Sequence, residues 1–576
     1  MTTGRSPPAE PRRDSRKKHE QLSEKVRNAI MRAWTEPGKR AQIEPSFFEV
    51  EISPSSPCTK GSAGDLHRVF LTRGEASDRL MKGAHSISQQ GGQMVGITAY
   101  GGYIPYYRIN RKTIFGAMGW LDSATNVKGE KAICNYDEDT VTMAVAAAVN
   151  CLKGLDRNKV DGVYLASTTL PAIERQNAGV VATALDLRPN IRTADFAGSN
   201  KMGTACLIAA ADAVKAGSAG SILACAGDAR TGKPGSIDEQ NYGDGAAAFL
   251  MGTEGVIASF DGSYSVSYDF MGHWMGATDE FGHFWEGRWV KEAGYVPFVI
   301  EAITGLLKKT NLQVKDLAKV IIPPINARDA ETIVKKLKLE PNQVQNTMFD
   351  GIGDAGNASP LLMLAAALDE AKPGDRILVT GYGNGCDALI FRATDAIATY
   401  ERAKPVAKLL STKHEITNYN QYLTFRGVLP IETGIRGEEL EAFPTQISRL
   451  WRERKEITAL CGSKCKKCGT PQYPYQRICV NPECGAVDQM EWYRFSDKKG
   501  TLFTFTADNL AFTFNPPQAY GVIVFEGGGK FWFDITDCDP SKLEVGMPME
   551  MTFRRKYLDK WRGLSGYFWK AIPIQR

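Results

Sequence analysis

A chain of 576 residues and 63.2 kDa is too long for one ordinary hydrophobic core, and 43% hydrophobic content fits a globular protein of two or more domains. It has no run of about 18 apolar residues and no apolar secretory leader, which argues against a membrane span and for a soluble, cytoplasmic protein. The formal charge of +5 resides in residues 1–93, where 16 Lys and Arg face 11 Asp and Glu; the neutral remainder carries no nucleic-acid footprint.

Residues 1–93 mix Pro, Ser and charges, as in "SPPAEPRRDSRKKHE", and read as a disordered or poorly ordered extension. The first clear strand, "MVGITAYGGYIP", opens at Met94. From there to about residue 399 the chain reads as two similar halves. The first runs through the helix "DEDTVTMAVAAAVNCLKG", the strand "KVDGVYLAST", a corner, the helix "GTACLIAAADAVKAG" and the strands "SILACAGDAR" and "GAAAFLMG". The second runs through "YVPFVIEAITGLLKKTN", "LAKVIIPP", the corner "FDGIGDAGNA", the helix "SPLLMLAAALDEAKPGD" and the strands "RILVTGYG" and "DALIFRAT". Short apolar strands alternating with Ala-rich helices suit a sheet buried on both faces. The order predicts two stacked α/β halves, each with a helix N-terminus at its centre.

Between the halves, "YDFMGHWMGATDEFGHFWEGRW" (268–289) interrupts the repeat. It carries His273 and His283, two of three histidines beyond the extension, with Glu286 nearby; all three are candidate acid/base groups at a pocket wall. The run "GYGNG" links strand to strand, so it is no dinucleotide fingerprint. Gly381, Gly383 and Asn384 are instead expected to form a close-approach turn beside the pocket, as candidate binding residues.

After a helical connector (411–460) comes "CGSKCKKCGTPQYPYQRICVNPECG" (461–485). Cys465 and Cys468 form one knuckle and Cys479 and Cys484 the other, the spacing of a closed, structural zinc site; Cys461 is a spare. Several short strands with turn signals follow, among them "GTLFTFTADN", "YGVIVFEGG" and "KFWFDITD", and predict a small five-stranded barrel.

The stretches "GGYIPYYRI", "EKAICNYDEDTVTMAVAAA", "GDGAAAFLMG", "AAALDEAKPGDRILVTGYGNGCDAL" and "NQYLTFRG" resemble the thiolase superfamily, and most closely its archaeal and bacterial hydroxymethylglutaryl-CoA synthase branch. The ribbon and barrel resemble the rubredoxin-like zinc-ribbon plus OB-fold family that accompanies thiolase-like enzymes. The resemblance implies an α/β fold with duplicated thiolase-like α-β-α-β-α layers (94–410), then a zinc ribbon (461–488) and an OB-type barrel (489–576). It also implies a homodimer across a sheet edge and a tunnel for an acyl-CoA substrate, coenzyme A being part of that substrate.

The resemblance also locates the expected catalytic set, and this sequence departs from it. The family's acyl-accepting cysteine falls at Asn200, its glutamate base at Thr168, its histidine near Ile322 and Pro323, and its oxyanion-hole asparagine at Asp354. Cys206 lies six residues further, about 240° around a helix from Asn200, and reads as a core residue. Without a thiol, aldol or retro-aldol chemistry on a thioester remains open, because it needs only a base and donors for the enolate oxygen. Asn200 is then a candidate donor, and Asp354 is either an acid/base group or a helix cap. Two other readings stand beside this one: a non-catalytic acyl-CoA-binding or scaffold subunit, and a synthase or acyltransferase recruiting another cysteine.

Overall fold

The computed structural model describes residues 93–123, 126–433 and 444–574. The expected disordered extension thus lies, but for its last residue, outside the described residues.

The body is built on nine strands: β1 (Gly96–Tyr103), β2 (Gly162–Ala166), β3 (Arg192–Phe196), β4 (Ser221–Ala229), β5 (Asp244–Gly252), β6 (Ala258–Ser267), β7 (Lys319–Ile321), β8 (Arg376–Tyr382) and β9 (Gly385–Ala393). Their order is β7-β8-β9-β6-β1-β5-β4-β2-β3. Each predicted half supplies one wing. The wings join where Gly96 and Ile97 of β1 pair with Ser259 and Ala258 of β6.

Six helices complete the layers: α1 (Thr140–Cys151), α2 (Asn177–Ala184), α3 (Met202–Lys215), α4 (Val296–Thr310), α5 (Asp329–Leu337) and α6 (Ala358–Glu370). α1 packs on β1, β5 and β4, whereas α4 packs on β6 and β9, so each covers the outer face of one wing. α3 and α6 touch strands of both wings and lie between them. The result is the expected α-β-α-β-α stack. Its middle layer is enclosed on both sides, which is why α6 reads "ASPLLMLAAALDE" with ten buried positions and no polar face.

The two central helices meet at their N-termini. A Cβ at Gly203 would stand 2.4 Å from the Asn357 carbonyl oxygen, and the Gly203 N–H donates to Asn357 Oδ1 at 2.9 Å. Glycine is needed there for backbone-to-backbone approach. That crossing brings both corners of the repeat to one place.

The segment 411–460, expected as a helical connector, is helical only in part. His414–Ile416 pairs parallel to Tyr107–Asn110, and Tyr419–Phe425 then buries Tyr422 against Lys131, tying this stretch to the body. A three-residue strand is too short to show an alternating pattern, so the sequence gives no warning of it.

Beyond it, Cys461–Cys465, Pro471–Gln472 and Met490–Arg494 form the ribbon's small sheet. β10 (Gly500–Asp508), β11 (Gln518–Phe525), β12 (Lys530–Ile535), β13 (Pro548–Asp559) and β14 (Leu564–Pro573) close as a barrel in the order β10-β11-β12-β14-β13. The barrel is clamped to the body by buried charge. Arg554 on β13, 1% exposed, is paired with Asp137, Glu138 and Asp537, while Lys570 on β14 reaches Asp137 at 2.8 Å. The Tyr567 hydroxyl donates to Asp139 at 2.8 Å, and Asp139 caps α1 through the Thr142 N–H.

Candidate functional site

A cavity of about 610 Å³ opens at the meeting point of the two corners. Thr168, Asn200, His273, Asp354, Gly381, Gly383 and Asn384 all line it. His283 and Glu286 do not; His283 is engaged with Asp279 at 3.3 Å, on the solvent side of its hairpin.

Asn200 sits two residues before α3, where the helix dipole and free N–H groups favour developing negative charge. Gly383 packs against this corner: a Cβ there would meet Ser199 Oγ at 2.5 Å and the Asn200 nitrogen at 2.9 Å. The Asn200 amide oxygen is buried and has no hydrogen-bond partner among the described residues. A side chain so placed can turn its NH₂ to an incoming oxygen.

Among the described residues, no cysteine lines the cavity. Cys206 is 1% exposed within the core between the wings, and burial pushes its thiol well above the ordinary range. It is a packing residue, as the helical angle predicts.

Thr168 and Asp354 are both engaged. The Thr168 hydroxyl donates to Asp228 Oδ1 at 3.0 Å; the same oxygen accepts from Ser167 Oγ at 2.8 Å, while Asp228 Oδ2 accepts from the Asn357 N–H at 2.7 Å. This buried carboxylate knits the two corners together. Asp354 is ion-paired with Arg230, and its other oxygen accepts from the Gly356 N–H at 2.9 Å. It therefore does more than cap a helix and is not a free acid. Pro323, which occupies the expected histidine position, contributes only apolar wall.

His273 approaches from the inserted hairpin, its Nε2 lying 3.1 Å from the Tyr242 hydroxyl. Crowding by protein, with Arg230 adding repulsion, pushes its imidazole down to about 4. The residue keeps solvent contact at the cavity mouth, which screens that repulsion, so the direction carries the argument: His273 is neutral at pH 7. Burial likewise holds the Tyr242 phenol protonated and raises Asp238, which bonds to it.

Asp228, Arg230, Asp238 and Tyr242 escape sequence reasoning. The available signal is the charged end of "SILACAGDAR": a strand of small apolar residues that ends on Asp and Arg delivers both to the sheet's carboxyl edge, where α/β sites form.

In the ribbon, the four sulfurs of Cys465, Cys468, Cys479 and Cys484 lie within 4.8 Å of one another, two of the separations being 3.8 and 3.4 Å. A tetrahedral metal with metal–sulfur bonds of about 2.3 Å needs sulfur separations of about 3.8 Å. The set fits a metal ion with no open position, and none of its members lines the cavity.

Fold and cavity together define a thiolase-like protein with an appended zinc-ribbon-like and OB-fold module. Residues 307–392 match the family described as 3-oxoacyl-[acyl-carrier-protein] synthase III C terminal, and residues 492–554 match the ChsH2 C-terminal OB-fold domain. The chain is 31% identical over 340 residues to a hydroxymethylglutaryl-CoA synthase of Methanopyrus kandleri, covering 57% of this chain and 96% of that one. It is 33% identical over 349 residues to one of Aeropyrum pernix, covering 58% and 95%. The solved hydroxymethylglutaryl synthase of the curacin biosynthetic pathway, in complex with apo donor-ACP, shares the fold at 18% identity with a TM-score of 0.51, over 58% of this chain and 90% of that one. The chain belongs to the hydroxymethylglutaryl-CoA synthase family of the thiolase superfamily.

Proposed function

We propose that the protein makes or breaks the carbon–carbon bond of a 3-hydroxyacyl-CoA by aldol or retro-aldol chemistry, without an acyl-enzyme. The observation that carries this reading is an amide, Asn200, at the corner of a cavity that no cysteine among the described residues lines. In the cleavage direction the 3-hydroxyl gives its proton to a base, the C2–C3 electrons move into the thioester carbonyl, and the enolate then takes a proton at C2. Neutral His273, backed by Tyr242 and Asp238, is the group we assign as base. Asn200 and the α3 N-terminus would hold the enolate oxygen. Thr168 and the Arg230–Asp354 pair shape the wall, and Gly381, Gly383 and Asn384 give room for the pantetheine arm.

The relatives' printed activity supports a CoA thioester as substrate. We assign zinc to the four-cysteine site in a structural role, which suits a reducing, cytoplasmic setting. β3 ends the nine-strand order and pairs with no further strand among the described residues, which supports a homodimer through that edge. No helix of the described residues is long and apolar enough to cross a membrane.

Incubation of the full chain with a panel of 3-hydroxyacyl-CoA thioesters, 3-hydroxy-3-methylglutaryl-CoA included, tests the reaction. Release of a ketone or aldehyde with a shortened acyl-CoA supports it. Binding without turnover across the panel overturns it in favour of a scaffold.

A further inference from the structure

We infer that the acyl group carried into this cavity is bulky, apolar and ring-bearing. The inference rests on the reading of the cavity as an acyl-CoA site and names the class of acyl group. The cavity has two poles. Asn200, Tyr242 and the Arg230–Asp354 pair occupy one, on loops of the repeated core; the inserted segment supplies the other with Phe270, Met275, Phe284 and Trp285.

Those apolar groups are poorly covered by the protein itself. Phe284 is 47% exposed, Met275 53% and Trp285 60%, and all three line the same opening. Concentrated apolar surface at a concave site marks a place where a ligand completes the packing. The hairpin's register fixes which rings reach the cavity: Phe284 lies opposite His273 and shares its face, whereas Trp274 lies opposite His283 on the other. His283–Phe284 pairs with His273–Trp274, Trp274 stacks on His283 at 5.8 Å, and Phe270 stacks on Trp289 at 4.4 Å. The hydrogen bond between His273 and Tyr242 fixes the hairpin against the polar pole.

A two-carbon acyl group at Asn200 would leave this wall bare. Flat ring faces offer their best contact to another flat or fused-ring group, in offset stacking or edge-to-face geometry. A flexible alkyl chain gains less from such walls, because it loses rotamer freedom to lie along them.

Equilibrium binding of the full chain to three CoA thioesters tests this: acetyl-CoA, dodecanoyl-CoA and 2-naphthylacetyl-CoA. None has a 3-hydroxyl, so affinity is read apart from the aldol step, and a failure of cleavage would leave the ring preference standing or falling by itself. We expect 2-naphthylacetyl-CoA to bind at least about tenfold more tightly than acetyl-CoA, with dodecanoyl-CoA between. Trp285→Ala and, separately, Phe284→Ala should each remove most of that advantage without lowering the melting temperature, since both side chains are largely exposed. Affinities of the three thioesters within about threefold of one another, a tighter dodecanoyl-CoA, or an advantage untouched by either substitution would overturn the inference.

Discussion

A thioester acylates a thiolate, and the amide at position 200 has no lone pair of comparable nucleophilicity to offer. What remains for Asn200 is hydrogen bonding to an oxygen that becomes negative. On that account Asn200→Ala should lower kcat/KM for cleavage by about 10²–10³-fold, the usual cost of losing one oxyanion donor, and steady-state kinetics will show it. Cys206→Ala should leave kcat unchanged while lowering the denaturant midpoint, because its thiol fills a core position. His273 makes a pH prediction. Its folded-state value is pushed from 6.5 down to about 4, so between those limits the unfolded chain holds a proton there that the folded chain lacks. Stability should therefore rise with pH across that window, and the contribution of this group is lost as pH falls through it. Denaturant titrations from pH 4 to 7 should show a shallower slope for His273→Gln than for the parent chain.

At the scale of elements, the repeat was legible because buried parallel strands and Ala-rich helices leave little freedom of pattern: β2, β4, α3, β8 and α6 all fall where apolar runs place them. The corner was legible too, since a Ser-Asn-Lys turn before a small-residue helix marks a helix N-terminus. Contacts between remote segments were not. Nothing local in "GDAR" or "IGDAG" announces that Arg230 pairs with Asp354 across 124 residues. The same separation hides which hairpin histidine faces inward: His273 and His283 are cross-strand diagonal neighbours, and the pairing register decides between them. The ribbon is the opposite case, its spacing being nearly the whole of the signal. Substituting Ser for Cys468 should reduce bound zinc, measured by elemental analysis, from one per chain towards none, and should lower the melting temperature; the ribbon's own core is only a few residues.

Across the whole molecule, the barrel and the body share a buried set of charges that neither could carry alone. Asp137 and Glu138 come from the body, Arg554 and Lys570 from the barrel, and all are shielded from water. A buried pair that loses one member leaves an uncompensated charge, so Arg554→Met should cost about 3–5 kcal/mol of unfolding free energy by urea titration. A chain ending near residue 433 strips the cations from Asp137 and Glu138 and should not accumulate as a folded, soluble product. Through Asp139, which caps α1, and Thr140, whose hydroxyl donates to the Thr169 carbonyl at 3.0 Å, the same seam reaches the cavity wall.

The most direct measurement is intact-protein mass spectrometry of the full chain after incubation with acetyl-CoA, run beside an assay for cleavage of 3-hydroxyacyl-CoA. The account predicts an unmodified mass together with turnover. A stable acetyl adduct mapped to Cys206 or any other cysteine, accompanied by condensation with a second acyl-CoA, would contradict it.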